Sequence, residues 1–182
     1  NLMVTYELGL KYFHFLFGYN FEISRYFSAI LGVLSLIIFS FFINSNSSFK
    51  SVLFGTLLLA INIYHVKYSI ELRSYILTFL LCIILLQQIF INSFERDKIS
   101  FLRASLIFFI SIMMLFSHSF SLIIIFSLNV YFLIKFFLKK KLLANQLYIL
   151  FAINAASLIF LFYYLQNISH TPYWIENVNL SF

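Results

Sequence analysis

The stretch YHVKYSIELRSYIL, residues 64–77, sets Lys67, Glu71 and Arg73 between two long apolar runs. If it is helical, Tyr64, Lys67, Tyr68, Glu71, Tyr75 and Thr78 recur at spacings of three and four and share one stripe. Lys67 and Glu71 then stand one turn apart, the spacing of a helical ion pair. Arg73, two residues past Glu71, points elsewhere and needs a different partner. Glu71 and Arg73 precede the uncharged run of residues 75–91. An ionised side chain at membrane depth costs roughly 2.5 to 3.5 kcal/mol on insertion scales, so such groups face a cavity or a partner. Two readings stand side by side: a polar site at a membrane surface, or a solvated helix end from which Lys67 snorkels.

Other residues invite the same comparison. Arg25, in FEISRYFSAILG, begins an apolar run, and a guanidinium there suits phosphate recognition. Its plainer use is a pair with Glu22, three residues earlier. His118 lies in LFSHSFSL between two apolar runs, where a hydrogen-bonded turn residue is the plainer reading. No second His or carboxylate stands near it at metal-ligand spacing, so neither a metal nor a cofactor is expected. No Gly-flanked turn marks the serines beside His118 as hydrolase nucleophiles. Tyr173 and Trp174 fit an interfacial aromatic belt. Asn46, Asn167 and Asn179 head N-x-S sequons, which arise by chance in a chain rich in Asn and Ser. The single Cys82 excludes an intrachain disulfide framework and a Cys-based metal site.

The elements that must position these residues are set by an apolar chain. Of its 182 residues, 63% are hydrophobic and 10% charged, and the mean hydropathy is +0.98. A soluble domain of this size needs far more polar surface. Apolar runs of about 17 to 25 residues, the length that spans a bilayer as helix, recur along the sequence. A β-barrel would alternate apolar and polar residues, and these runs are apolar all round. The expected fold is all-α, a polytopic transmembrane helical bundle forming a single domain over residues 1–182. Residues 1–18 carry Glu7, Lys11 and His14 and read as an interfacial helix stopped by FGYN. Six spans follow within residues 26–165, at about Tyr26–Ile43, Val52–Tyr64, Tyr75–Ile91, Leu102–Phe116, Phe120–Phe137 and Leu142–Leu165. Residues 166–182 read as a polar, aromatic outer loop. The chain lacks an initiator Met and reads as a piece of a longer protein.

Six spans divide the loops into two sets. One holds Lys50, Arg96, Lys98, Arg103, Lys135, Lys139, Lys140 and Lys141, eight of the twelve Lys and Arg residues. The positive-inside rule assigns that set to the cytoplasm. Arg25, the stretch 64–77, His118 and the C-terminal tail then share the outer face. The net charge of +6 is confined to loops, where it reports topology and not nucleic-acid binding.

Several of these segments, in this order, resemble one family: the protein O-mannosyltransferase-like membrane glycosyltransferases of the C-type fold, which includes the lipid A aminoarabinose transferases. FHFLFGYNFEISRYFSAILGVL is similar to the family's Leu-Phe-Gly segment followed by an Arg and a Ser-Ala before a span. YSIELRSYIL resembles its Tyr-Ser-x-Glu-x-Arg-x-Tyr stretch, LFSHSFSLIII its later His-containing turn, and YWIENVNLSF its aromatic Trp-Ile segment. Each motif is short; together they cover nearly the whole chain. Ser74 departs from the family, which often has Pro there.

The resemblance implies a membrane glycosyltransferase, in the bacterial inner membrane with its site toward the periplasm or exterior. It implies a polyprenyl-phosphate-linked sugar donor and a lipid, glycan or protein acceptor, with membrane lipids as surroundings and no nucleic acid. Arg73, Arg25 and Lys67 would meet the phosphate, whose charge rises as it leaves. Glu71 would orient Arg73 or accept sugar hydroxyls. Tyr68, Tyr75 and Trp174 would stack on sugar or line the lipid groove, and His118 would donate to phosphate or acceptor. The family's catalytic carboxylate precedes the Leu-Phe-Gly segment, and Glu7 does not sit in such a motif, so the base is expected upstream of Asn1. Two rivals remain: a flippase or transporter of lipid-linked sugars, which should show broken spans, and a surface-polysaccharide polymerase.

Overall fold

The computed structural model describes residues 3–45, 47–94, 101–139 and 144–167. Among these the secondary structure is helical: α1 (Val4–Phe17), α2 (Phe21–Asn44), α3 (Phe49–Ala60), α4 (Ile63–Ile70), α5 (Tyr75–Phe94), α6 (Phe101–Leu115), α7 (Ser121–Lys139) and α8 (Ala144–Asn167). The starts of α2, α3 and α4 are capped by side chains. Asn20 accepts from the N–H of Glu22, Ser48 from Ser51, and Asn62 from both Tyr64 and His65. Each satisfies an N–H that has no partner inside its helix. Gly18 ends α1 at φ 92° and ψ 164°, a region open essentially to glycine, and its N–H bonds back to His14 O at 2.8 Å.

Among the described residues three helices are long and apolar enough to cross a membrane: α2, α7 over Ser121–Leu138, and α8 over Gln146–Asn167. The count becomes four if α3 and α4 make one span, bent by 57°. The expected single run Val52–Tyr64 is therefore two helices, parted where Asn62 ends one hydrogen-bond ladder and caps the next. The apolar parts Tyr75–Phe90 of α5 and Phe101–Leu115 of α6 are shorter. At about 1.5 Å per residue, the fifteen residues of α6 rise roughly 22 Å against a hydrocarbon core of about 30 Å. Among the described residues these lengths identify a membrane-type helical bundle with three or four candidate spans.

Helix α5 lies at the centre, packed against α2, α4, α6 and α8. Its Ile76, Leu80, Leu81, Leu85 and Ile89 meet Ile107 and Met114 of α6 and Ile149, Ile153 and Phe160 of α8 in one core. Small residues bring the backbones together, as in lipid-embedded bundles. On α8 these are Ala152, Ala156 and Ser157. On α2 the buried face runs Ser24, Ser28, Leu31, Gly32 and Ser35. Each of the three serines takes one polar side chain from a neighbouring helix: His14 Nε2 at 2.8 Å, Tyr6 Oη at 2.8 Å and His65 Nε2 at 2.8 Å respectively. Gly32 sits directly under Ser69 of α4, where a Cβ would come within 2.8 Å of the Ser69 Cβ. Across the bundle, Asn129 of α7 and Asn154 of α8 exchange amide hydrogen bonds of 2.8 and 3.3 Å.

These contacts order the ends of the bundle. Gly32 faces Ser69 and Ser35 faces His65, so α2 and α4 run antiparallel. The Thr5 N–H of α1 donates to Phe116 O at 3.2 Å, and Tyr6 reaches Ser28. The start of α2, the α4–α5 link and the α6–α7 turn therefore share one end. The α2–α3 turn, with Lys50, lies at the other.

Candidate functional site

The shared end holds a cavity of about 400 Å³ lined by Leu59, Asn62, Tyr64, His65, Tyr68, Tyr75, Ile76, Thr78, Phe79, Cys82, His118, Phe120 and Ile124. Its aromatic wall is continuous. Tyr64 and Tyr68 have ring centroids 6.3 Å apart, Tyr68 and Tyr75 4.7 Å, Tyr75 and His118 4.7 Å, and His118 and Phe120 4.7 Å. Three elements supply these rings: α4, the first turn of α5, and the turn between α6 and α7. Thr78 fastens two of them, its Oγ1 lying 3.0 Å from Ser74 O and 3.1 Å from Ser117 Oγ. Ser74 itself is fully buried, and its Oγ has no partner among the described residues.

The stripe expected from one continuous helix over residues 64–78 is not how these residues meet. Helix α4 ends at Ile70, Glu71 turns to an extended backbone with ψ of 141°, and α5 starts at Tyr75. Tyr64, Tyr68, Tyr75 and Thr78 nevertheless line the same cavity, brought together by the packing of α4 against α5. Lys67 and Glu71 form the expected pair, with Nζ to Oε1 of 3.7 Å. At that distance and exposure the pair contributes little stability. Arg73 is exposed in the α4–α5 link and does not line the cavity.

Arg25 is exposed at the shared end, with its guanidinium 4.6 Å from the Phe21 ring centroid. This cation–π contact takes the place of the expected pair with Glu22. Trp174, and with it Tyr173 and the segment 168–182, lies outside the described residues, as do Arg96, Lys98, Lys140 and Lys141.

His118 is the hydrogen-bonded turn residue that its setting implies. Its Nδ1 accepts the Phe120 N–H at 3.1 Å, which puts the proton of the neutral ring on Nε2. Burial holds its pKa below the ordinary 6.5, so the ring is neutral at pH 7.

The residue that the sequence reading passed over is His65. It is 8% exposed and lines the cavity beside Tyr64. The Ser35 hydroxyl donates to Gly32 O at 2.7 Å, and a hydroxyl has one proton to give. His65 Nε2 must therefore be the donor across its 2.8 Å contact with Ser35 Oγ. The only sequence signal was a His inside an apolar run, three residues before Tyr68; its partner Ser35 is thirty positions away.

Comparison with protein-family models, with curated proteins and with solved structures finds no match to this chain.

Proposed function

We propose that the chain is the membrane part of a glycosyltransferase that uses a polyprenyl-phosphate sugar donor and passes the sugar to an acceptor at the outer face. One observation carries the reading. Two segments that resemble the family's motifs, YSIELRSYIL and LFSHSFSLIII, supply Tyr68, Tyr75 and His118 to one aromatic wall. In the proposed reaction an acceptor hydroxyl attacks the anomeric carbon and forms a C–O bond. The bond from that carbon to the phosphate oxygen breaks, and polyprenyl phosphate leaves with the electron pair. The acceptor proton passes to a carboxylate, proposed to lie before Asn1 in the whole protein. Arg73, with Arg25 and Lys67 at the same end of the bundle, balances the leaving phosphate's growing charge. Glu71 is held by Lys67, which makes it a weak choice for the base.

The test uses the protein in lipid nanodiscs with a radiolabelled polyprenyl-phosphate sugar. Binding should fall about tenfold or more for Arg73→Ala and much less for Lys67→Ala, since Lys67 already has a partner. Equal, mild losses for both in well-folded protein would return the charged stretch to a solvated helix end.

A second reading has its own observation. The 57° break between α3 and α4, beside a cavity, is the kind of discontinuous span that transporters use at their binding sites. A flippase would move the lipid-linked sugar across vesicles and form no new glycosidic bond. Detecting transfer product in sealed vesicles separates the two readings.

A further inference from the structure

The two histidines of the cavity are fixed in complementary states. His65 spends its Nε2 proton on Ser35, so its Nδ1 is a lone-pair acceptor. His118 spends its Nδ1 lone pair on the Phe120 N–H, so its Nε2–H is a donor. Both rings line the same cavity, whose remaining wall is mostly aromatic and aliphatic, with Asn62, Thr78 and Cys82 among it. His65 is buried in the bundle yet lines the cavity, so a polar occupant of that space can meet its ring.

That pair of states sorts ligands by chemistry. A phosphate or carboxylate accepts from His118 but offers His65 only lone pairs, which repel its Nδ1. An ammonium suits His65 and is repelled by the His118 N–H. A hydroxyl both donates and accepts, and so answers either ring. Rings with C–H faces, such as pyranoses, also pack on Tyr68 and Tyr75, which stand 4.7 Å apart at the wall.

We infer that this cavity is a subsite for a neutral, hydroxyl-bearing sugar ring, with His65 Nδ1 as its acceptor and His118 Nε2–H as its donor, and that the anionic phosphate binds outside it. The identification of the ring as the donor's sugar rests on the glycosyltransferase reading. The preference for a neutral hydroxylated ligand rests on the two histidines alone. His65 thereby becomes a binding residue, and Ser35 a positioning residue that acts through it.

The experiment measures binding of hexyl β-D-glucopyranoside and of hexyl phosphate to the full chain in phosphatidylcholine nanodiscs. The glucoside should bind and the phosphate should not displace it. His118→Phe keeps the ring stack and removes the donor; it should weaken the glucoside about tenfold, the effect of losing one buried hydrogen bond. His65→Leu should do the same, with Ser35 still satisfied by Gly32. If that variant fails to fold, ¹⁵N-histidine NMR of the native chain decides the same point. Both rings should carry their proton on Nε2, and both should shift on adding glucoside. A His65 proton on Nδ1, no glucoside binding, or tighter binding of hexyl phosphate that is lost in His118→Phe would each overturn the inference. Glucoside binding without binding of a polyprenyl phosphate would keep the subsite and sink the glycosyltransferase reading. The converse, with donor binding indifferent to both histidines, would sink the subsite alone.

Discussion

Gly32 sets how closely α4 approaches α2, and through that where His65 stands. Ser69 cannot simply swing aside for a larger residue, because its hydroxyl donates to His65 O at 2.7 Å. Gly32→Ala should therefore destabilise by about 1 to 3 kcal/mol, the usual cost of overpacking a tight contact. Thermal unfolding in detergent would measure this, and adding Ser69→Gly should restore much of the loss. Melting unchanged by Gly32→Ala would mean that the two helices are farther apart than described. His118 gives a pH prediction at the same scale. Its folded pKa lies below the unfolded value of about 6.5, so the unfolded chain takes up its proton first as the pH falls. The stability it contributes is complete above about pH 6.5 and declines as the pH drops toward the lowered folded value. An NMR titration of His118 with a midpoint above 6.5 would refute this.

At the scale of elements, the break at Asn62 decides the shape of the cavity. Asn62 Oδ1 accepts from the N–H groups of Tyr64 and His65, at 3.0 and 3.2 Å, and so holds the turn that carries two cavity residues. Asn62→Ala should cost about 1 kcal/mol, and Asn62→Asp should retain the cap. Hydrogen exchange at Tyr64 and His65 should quicken in the first variant only. Helix existence and order were legible from apolar runs, because each run reports its own surroundings. The Lys67–Glu71 pair was legible for the same reason: its spacing is local. The break was missed because Asn62 is one polar residue inside an apolar run and no Gly or Pro marks it. The serines of α2 were missed because a buried Ser is satisfied by its own helix or by a distant partner. Ser35 shows both, bonding Gly32 nearby and His65 thirty positions on.

At the scale of the whole molecule, the packing gathers Arg25, the α4–α5 link and His118 at one end and Lys50 at the other, whichever way the bundle faces. Arg103 near the start of α6 and Lys135 near the end of α7 lie toward the same end as Lys50, and cytoplasmic ends of spans attract such residues. The expected outcome is that Arg73 faces outside and Lys50 the cytoplasm. Both positions are exposed, so single cysteines there should react without disturbing the core. After Cys82→Ser, Arg73→Cys should label with a membrane-impermeant maleimide in intact cells, and Lys50→Cys only after the membrane is opened. Labelling at position 50 alone would invert the bundle and put the aromatic cavity at the cytoplasmic face, where an outer-face acceptor cannot reach it. Labelling at both would contradict the end-to-end separation that the antiparallel run of α2 and α4 requires.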